Sequence, residues 1–267
     1  SFIMRYLVLP LIVFLAGCQS IQLFGSRREL RTVNTSAYEL SISKSGSMSL
    51  RLPSDAVVLS SAYPALCTEQ DQQPKPLHVR GVFSTRTMGK TKLGEGHGLV
   101  LAKGECQWVL QTYTTEPFLT VQVIWTNRSR KTVKVRELLP LYARLPLPGT
   151  ATSMEQESVG DEQATDVSIR DTYALLQDPG TGTFLLAAFL THNTSRTRIY
   201  VQPSEKVSRR AVSEITAADV YDPPVEVPPG GTLTSDLLYL AVGEQDPSEA
   251  ALRFKSAVEK LHSETAR

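Results

Sequence analysis

The chain has 267 residues, with 28 lysines and arginines against 27 aspartates and glutamates, so its net charge is +1 when the histidines are neutral. This balance argues against a nucleic-acid partner, because phosphate binding depends on a strongly basic surface. The length suits one large β domain or two smaller domains, and either can bury a substantial core.

The N-terminus has the pattern of a bacterial lipoprotein signal peptide. Arg5 precedes an apolar run, and Leu-Ala-Gly-Cys at 15–18 forms the cleavage and lipid-attachment box. The apolar run is too short for a transmembrane helix, which needs about 20 residues. We therefore expect 1–17 to be a signal peptide, Cys18 to carry the lipid and 18–36 to form a tether. The alternative is an ordinary secretory signal with a cysteine at the cut.

This N-terminus predicts a location in the bacterial cell envelope. Lipid chains on Cys18 would anchor the protein to a membrane. Gln19, rather than aspartate, follows the cysteine and favours the outer membrane, facing the periplasm or the cell surface. In that oxidising compartment Cys67 and Cys106 could form a disulfide, and two buried free thiols are an equally open alternative.

The rest of the chain predicts an all-β, antiparallel fold. Alternating apolar residues in Phe118–Trp125 indicate a half-buried strand, and 132–135 resumes the alternation after a turn to complete a hairpin. Phe184–Leu190 is apolar throughout and fits either a strand buried on both faces or a core helix; the turn residues at 178–182 favour the strand. Further strands are expected at 38–43, 49–52, 56–60, 78–85, 98–101, 108–114, 173–177, 198–202 and 236–242.

Two other segments have a clear pattern. The acidic segment 153–165 predicts a long exposed loop. One C-terminal helix is expected, because Asp246 is a suitable N-cap, Pro247 fits the first helical position and Glu249 can complete a capping box. Its apolar residues recur at three- and four-residue spacing and predict one packing face. These residues are Ala250, Ala251, Phe254, Ala257, Val258 and Leu261.

The sequence lacks motifs for metal, cofactor or nucleophilic chemistry, and we expect no cofactor and no metal. Gly89-Lys90-Thr91 lacks the earlier glycine of a phosphate-binding loop. The histidines are too scattered for a metal site; they are His78, His97, His192 and His262. Carboxylates for acid–base work on a glycosidic bond are available, but their spacing selects no pair. The candidates are Asp166, Asp171, Asp178, Asp219 and Asp222.

Two features could contact a ligand. Gly94–Gly98 is rich enough in glycine to let a backbone approach a ligand closely, or it forms a hairpin turn. Aromatic rings stack on sugar rings, so Trp108 and Tyr113 are candidate carbohydrate contacts. Phe118 and Trp125 lie in strongly apolar strands and are predicted to pack in the core.

The order of elements in 96–142 identifies a family resemblance. A glycine-rich strand is followed by Tyr-x-x-x-Pro-Phe at 113–118, an alternating strand that leads to Asn127, a charged turn and Leu-Leu-Pro-Leu at 138–141. This order resembles the N-terminal β-supersandwich domain of α-galactosidases of the melibiase and raffinose-synthase type. Phe184–Thr191, 225–242 and the C-terminal helix resemble later parts of the same domain.

The resemblance implies a large galactose-mutarotase-like antiparallel sandwich at 37–245, with a helix at 246–267 that leads towards a catalytic barrel outside this chain. In that family the catalytic aspartates lie in the barrel, so no catalytic residue is expected here. We therefore expect a non-catalytic accessory domain of a lipid-anchored glycoside hydrolase that acts on oligosaccharides. The alternatives are a complete carbohydrate-binding or scaffolding lipoprotein and an enzyme that uses unrecognised carboxylates.

Overall fold

A computed structural model of the protein describes residues 29–79, 82–145, 155–157, 173–178, 180–193, 196–202, 213–244 and 246–263. The predicted signal peptide at 1–17 and the predicted lipid site Cys18 lie outside these residues. No helix within the described ranges is long and apolar enough to cross a membrane.

The described residues form seventeen strands and one helix. In chain order they are β1 (Glu29–Asn34), β2 (Glu39–Ser43), β3 (Met48–Arg51), β4 (Val57–Thr68), β5 (Lys75–Pro76), β6 (Val82–Thr91), β7 (Gly94–Lys103), β8 (Cys106–Tyr113), β9 (Phe118–Thr126), β10 (Val133–Leu145), β11 (Glu155–Glu157), β12 (Tyr173–Gln177), β13 (Thr183–Phe189), β14 (Arg196–Gln202), β15 (Ser213–Val227), β16 (Thr232–Thr234), β17 (Leu238–Glu244) and α1 (Ser248–His262).

The strands build two antiparallel sheets, which form a large sandwich as the sequence predicts. The first sheet has the order β1-β2-β3-β4-β10-β15-β14, with β5 paired to β4. The second has the order β11-β12-β13-β17-β9-β8-β7-β6, with β16 paired to β9. Two predicted boundaries are wrong, because β1 lies within the expected tether at 18–36 and β11 lies within the expected loop at 153–165. Both segments gain strand pairing that their composition does not indicate.

The main core lies between the two sheets. Apolar side chains on the inner faces are fully buried, and burial of each large one stabilises the fold by about 1.5–3 kcal/mol. Phe118 and Trp125 are buried at the two ends of the predicted alternating run, which confirms their core assignment. Every residue of β13 is buried, because this strand packs against the main core on one face and a second apolar cluster on the other.

Helix α1 covers the outer face of the second sheet. Ala250 and Ala257 are buried there, and the Phe254 ring lies 5.4 Å from the Tyr239 ring. The predicted N-cap is wrong by one residue, because Pro247 is the N-cap and no side-chain hydrogen bond caps the helix. Asp246 precedes it and accepts a hydrogen bond from the Ser248 N–H at 2.9 Å. The predicted capping box is wrong, because Glu249 pairs with Arg253 at 2.6 Å, one turn along the helix.

Candidate functional site

The predicted carbohydrate contacts Trp108 and Tyr113 are core residues. They are 0% and 1% exposed. Trp108 Nε1 donates to the Pro140 carbonyl oxygen at 2.9 Å, and the Tyr113 hydroxyl shares a hydrogen bond with Thr120 Oγ1 at 3.1 Å. Neither ring can reach a sugar, so this prediction is wrong. The alternation of β8 turns Trp108 into the main core with Cys106 and Leu110. Tyr113 lies on the opposite face, in the second apolar cluster, where its ring lies 4.9 Å from the Phe118 ring.

Cys67 and Cys106 are free thiols, which decides between the two alternatives that the sequence left open. Cys106 lies in the core between the sheets, whereas Cys67 lies on the outer face of the first sheet next to Arg136. Disulfide formation needs Cβ atoms about 4 Å apart, and the layer of the first sheet separates these two. Burial raises the pKa of the Cys106 thiol to about 12.

The glycine-rich segment approaches a neighbouring strand rather than a ligand. Gly94–Gly98 forms the start of β7, where Gly96 pairs with Tyr113 on β8. A Cβ atom on Gly96 would overlap the carbonyl oxygen of Thr112, so the two backbones pass too closely for any side chain. The predicted hairpin turn therefore does not lie within Gly94–Gly98, which belongs to β7. Glycine is needed at position 96 so that the two strands can approach closely.

The candidate carboxylates are dispersed. Asp178 is buried in the turn before β13, where it accepts a hydrogen bond from the Gly180 N–H at 2.8 Å. Asp219 is buried, whereas Asp222 is exposed at the edge of a cavity. The two remaining candidates, at 166 and 171, lie outside the described residues. Among the described residues, no group of three or more histidine, cysteine or acidic side chains is placed to hold a metal ion.

A row of tyrosines crosses the outer face of the first sheet. Tyr63 on β4 pairs with Tyr142 on β10, Tyr142 pairs with Thr216 on β15, and Thr216 pairs with Tyr200 on β14. All three tyrosine side chains are partly exposed. We call these three tyrosines and Thr216 the tyrosine row. It spans about 14 Å, because three interstrand spacings separate the outer strands.

A small apolar floor lies beside the tyrosine row on the same face. It consists of Ala65, Leu139 and Ala218, and the rings of Tyr142 and Tyr200 pack against it. Ala65 and Ala218 lie two residues from Tyr63 and Thr216, and side chains two apart on a strand point to the same side. Leu139 pairs directly with Ala65 and so shares that face. The rings cover the floor, whose three residues are at most 1% exposed, so a ligand on this face would contact the rings and not the floor.

A polar cavity of about 1040 Å³ adjoins this floor at Val220. We call it the arginine cleft. Its basic residues come from two strands, because Arg136 lies on β10 while Arg196 and Arg198 lie on β14. The remaining polar lining consists of Glu137, His192, Asn193, Tyr221 and Asp222, with Pro223, Pro224 and Val225 completing the wall.

A large bulge in β15 creates the cleft. The pairing between β10 and β15 moves from Val135–Val225 to Glu137–Val220, so residues 221–224 leave the ladder. Two of these residues are Pro223 and Pro224, which have no N–H group to donate to a neighbouring strand. The sequence therefore breaks the ladder here and leaves room beside Glu137.

The charges in the cleft influence one another. Burial raises the pKa of the Glu137 carboxyl above its ordinary value, although Arg136 and Arg198 act in the opposite direction. Arg136 donates to the Cys67 thiol at 2.9 Å and to the Asp71 carbonyl oxygen at 2.8 Å. These contacts hold its guanidinium group in place at the cleft wall.

The Asp71 side chain, whose pKa is lowered, stabilises the turn that accepts the hydrogen bond from Arg136. Asp71 accepts hydrogen bonds from the Thr68 N–H at 2.9 Å and the Thr68 hydroxyl at 2.7 Å, and it also pairs with Lys75. Burial acts to raise the pKa of Asp71, but the bonds to Lys75 and Thr68 outweigh it and lower the pKa from 3.8 to about 2.

Two buried aspartates position the wall formed by 191–193. Asp236 accepts hydrogen bonds from the Thr191 hydroxyl at 2.6 Å and the Asn193 N–H at 3.0 Å. The Asp236 N–H in turn donates to Asp219 Oδ2 at 2.7 Å. His192 then projects at the surface, where its Nδ1 lies 2.9 Å from the Thr197 hydroxyl.

Comparison with solved structures identifies the fold. The GH36 α-galactosidase AgaA from Geobacillus stearothermophilus matches with a TM-score of 0.57 and 10% identity over 83% of this chain and 42% of its own. The α-galactosidase from Lactobacillus brevis matches with a TM-score of 0.57 and 10% identity over 86% and 41%. The fold is that of a domain found in GH36 α-galactosidases. A TPR-domain containing protein from Parabacteroides distasonis also matches, with a TM-score of 0.56 and 11% identity over 81% of this chain and 47% of its own.

These likenesses show a shared fold and not a shared activity. The chain spans less than half the length of each of these proteins. No protein-family model matches the sequence, and no curated protein matches it at a significant level. The likeness to α-galactosidase structures agrees with the resemblance found in 96–142.

The sequence did not identify the residues of the cleft as a site. A signal is nevertheless present in β14, where Arg196, Arg198 and Tyr200 alternate with the buried Thr197 and Ile199. This alternation predicts a strand with a polar outer face. The alternation does not indicate that β14 lies beside the bulge of β15.

Proposed function

We propose that this chain is a non-catalytic β-sandwich domain that supports carbohydrate hydrolysis by an α-galactosidase-like catalytic barrel. The observation that carries the proposal is the fold likeness to two α-galactosidases, which extends over 83% and 86% of this chain and only 42% and 41% of theirs. The motif order between Tyr113 and Leu141 supports the same relation.

Three of the described carboxylates have structural roles in the fold. Glycoside hydrolysis uses two carboxyl groups that face one bond, about 5–10 Å apart. Asp219 and Asp236 are instead buried and hydrogen-bonded to the backbone or the 191–193 segment, and Asp178 holds a turn. These three groups therefore have structural roles that account for their positions.

The reading frame that contains this chain tests the proposal. We expect it to continue into a barrel with two aspartates at strand ends, and a stop codon directly after Arg267 would contradict this. In an aryl α-galactoside assay, the longer protein should release the aryl group and the present chain should not. Hydrolysis by the present chain alone would overturn its non-catalytic role.

We also propose that Cys18 carries a lipid anchor and places the protein in the cell envelope, at an outer membrane facing the periplasm or the cell surface. The residues at 15–18 support this proposal. Radiolabelled palmitate should enter the wild-type chain in bacteria and should not enter a Cys18→Ala variant. Equal labelling of both would contradict anchorage at this residue.

A second candidate function is saccharide binding by a stand-alone lipoprotein. The tyrosine row beside the apolar floor favours it, because three partly exposed rings share one face. Calorimetric titration with neutral oligosaccharides should then give saturable binding that Tyr142→Ala weakens. The matched control is Tyr38→Phe in the core, which should leave binding unchanged. A flat titration would reject this candidate.

A further inference from the structure

Exposed basic side chains gather at one end of the sandwich. Arg128, Arg130 and Lys131 lie in the turn between β9 and β10, and all three are exposed. Lys103, the last residue of β7, is exposed as well. Arg128 and Lys103 line one cavity of about 270 Å³, so the ends of β7 and β9 lie side by side.

Strand β1 starts at this same end. Glu29 pairs with Ser43, which precedes the exposed Lys44 in the turn after β2. This turn packs on the segment 77–79, because a Cβ atom on Gly46 would overlap a carbonyl oxygen of that segment. The same segment lines the cavity just described. We call the five exposed basic residues of these turns the basic end; they are Lys44, Lys103, Arg128, Arg130 and Lys131.

The positive charges of the basic end are available to a partner. Within the described ranges, none of the five side chains forms an ion pair. Glu69 and Glu226 lie nearby, but both pair with Lys134, at 3.6 Å and 3.8 Å. Glu105 is exposed between the members of the group. Exposed charges of this kind act over about 8 Å at physiological ionic strength.

The opposite end of the sandwich exposes carboxylates instead. Glu244, Asp246 and Glu249 line a cavity of about 500 Å³ beside the start of α1. Ala37, from the turn at the far end of β1, and Pro117, which precedes β9, line it as well. The nine residues of β9 therefore separate the two ends by about 30 Å. A negatively charged surface would attract the basic end and repel these carboxylates.

The predicted lipid site is close to the basic end along the chain. Cys18 precedes Glu29 by eleven residues, which span at most about 40 Å when fully extended. The start of β1 is therefore the part of the described chain that a lipid on Cys18 would keep nearest the membrane. Anionic headgroups attract basic side chains, and each one near the surface strengthens the attraction about 5-fold.

We propose that the basic end lies against the anionic lipid headgroups of the membrane to which Cys18 is anchored. This inference rests on the lipid anchor proposed above and adds the orientation of the domain, with the carboxylates beside α1 facing away from the membrane. An acidic protein is a less suitable partner, because the anchor holds the headgroups at a high local concentration beside this end.

Lysine acetylation of the lipidated protein in vesicles tests the orientation. The vesicles contain phosphatidylcholine alone or with about one third phosphatidylglycerol. Mass spectrometry should show Lys44, Lys103 and Lys131 acetylated about 3- to 10-fold more slowly on the anionic vesicles. Salt at about 1 M should remove this difference. Lys255 and Lys260 on α1 are the internal controls and should react equally on both; Lys260 lies 3.9 Å from Glu116, at the opposite end of β9.

A pair of double variants separates charge at the basic end from total charge. Arg128→Gln with Arg130→Gln should reduce the difference at Lys44 and Lys103 to about 2-fold or less, because two attractive charges are lost. Arg51→Gln with Lys255→Gln removes the same charge from β3 and α1 and should behave as wild type. Circular dichroism melting curves establish that each variant is folded before it is acetylated.

Equal acetylation on neutral and anionic vesicles would overturn the proposal, as would protection of Lys255 and Lys260 in place of the basic end. An unchanged difference in the folded Arg128→Gln, Arg130→Gln variant would overturn it as well. Stronger protection by polyglutamate in solution than by anionic vesicles would assign this end to an acidic protein instead. If wild type incorporates palmitate at Cys18 and shows no protection, the anchor stands and this inference fails. If wild type incorporates no palmitate, both are rejected.

Discussion

A comparison of the same substitution at the two tryptophans measures the contribution of one hydrogen bond between the sheets. Both are buried, with 0% of Trp108 and 3% of Trp125 exposed. Trp108 Nε1 donates to the Pro140 carbonyl oxygen at 2.9 Å and so joins β8 in the second sheet to β10 in the first. Trp125 Nε1 is buried without a hydrogen-bond partner among the described residues. Substitution of each by phenylalanine removes the same atoms.

The two substitutions should therefore differ in their cost. In Trp108→Phe the Pro140 carbonyl is left buried and unpaired, which costs about 1–3 kcal/mol beyond the loss of packing. In Trp125→Phe an unpaired donor disappears, which offsets part of the packing loss. We expect Trp108→Phe to lower the free energy of unfolding by about 2–4 kcal/mol, and by about 1–3 kcal/mol more than Trp125→Phe.

Urea denaturation followed by far-ultraviolet circular dichroism measures this difference without relying on tryptophan fluorescence. The slope of unfolding free energy against urea should be the same in both variants, so that the midpoints report stability alone. Equal losses, or a larger loss in Trp125→Phe, would refute the role given to the inter-sheet hydrogen bond.

Three further predictions concern the backbone, pH and the thiols. Gly96→Ala should lower the free energy of unfolding in urea by about 3 kcal/mol, because its methyl group overlaps the facing strand; a near-neutral effect would contradict this close approach. Because folding lowers the pKa of Asp71 from 3.8 to about 2, its contribution to stability is present above pH 3.8 and is lost as the pH falls towards 2. Asp71→Asn should lose less stability than wild type over that interval, and identical pH profiles would argue against the shift. Cys67 and Cys106 should resist alkylation until urea unfolds the chain, as peptide mass mapping can check; a disulfide-linked peptide would contradict the free thiols.

The strands of the sandwich could be predicted where local pattern coincides with burial. Phe118–Trp125 shows period-two alternation because β9 has one inner face, and the apolar run from 184 is a strand because both of its faces are covered. The edge strand β1 was missed because a short polar strand resembles a tether until its partner β2 is known.

The candidate site could not be predicted, because it depends on distant pairing. Arg136 and Arg198 are brought together only by the position of β15 between β10 and β14. The prediction for Trp108 depends on its aromatic ring, but ring chemistry does not reveal on which side of a sheet a residue lies. The tyrosine row could not be predicted for the same reason, since its members are separated by up to 153 positions and meet through strand register.

The position of β17 has a consequence for synthesis of the protein. This strand follows the other sixteen described strands in the sequence and lies in the middle of the second sheet, between β13 and β9. During synthesis, β6–β9 and β11–β13 therefore form two separate groups of strands with unpaired edges. They can join only after residues 238–244 have left the ribosome. The second sheet therefore cannot close before β17 has been synthesised.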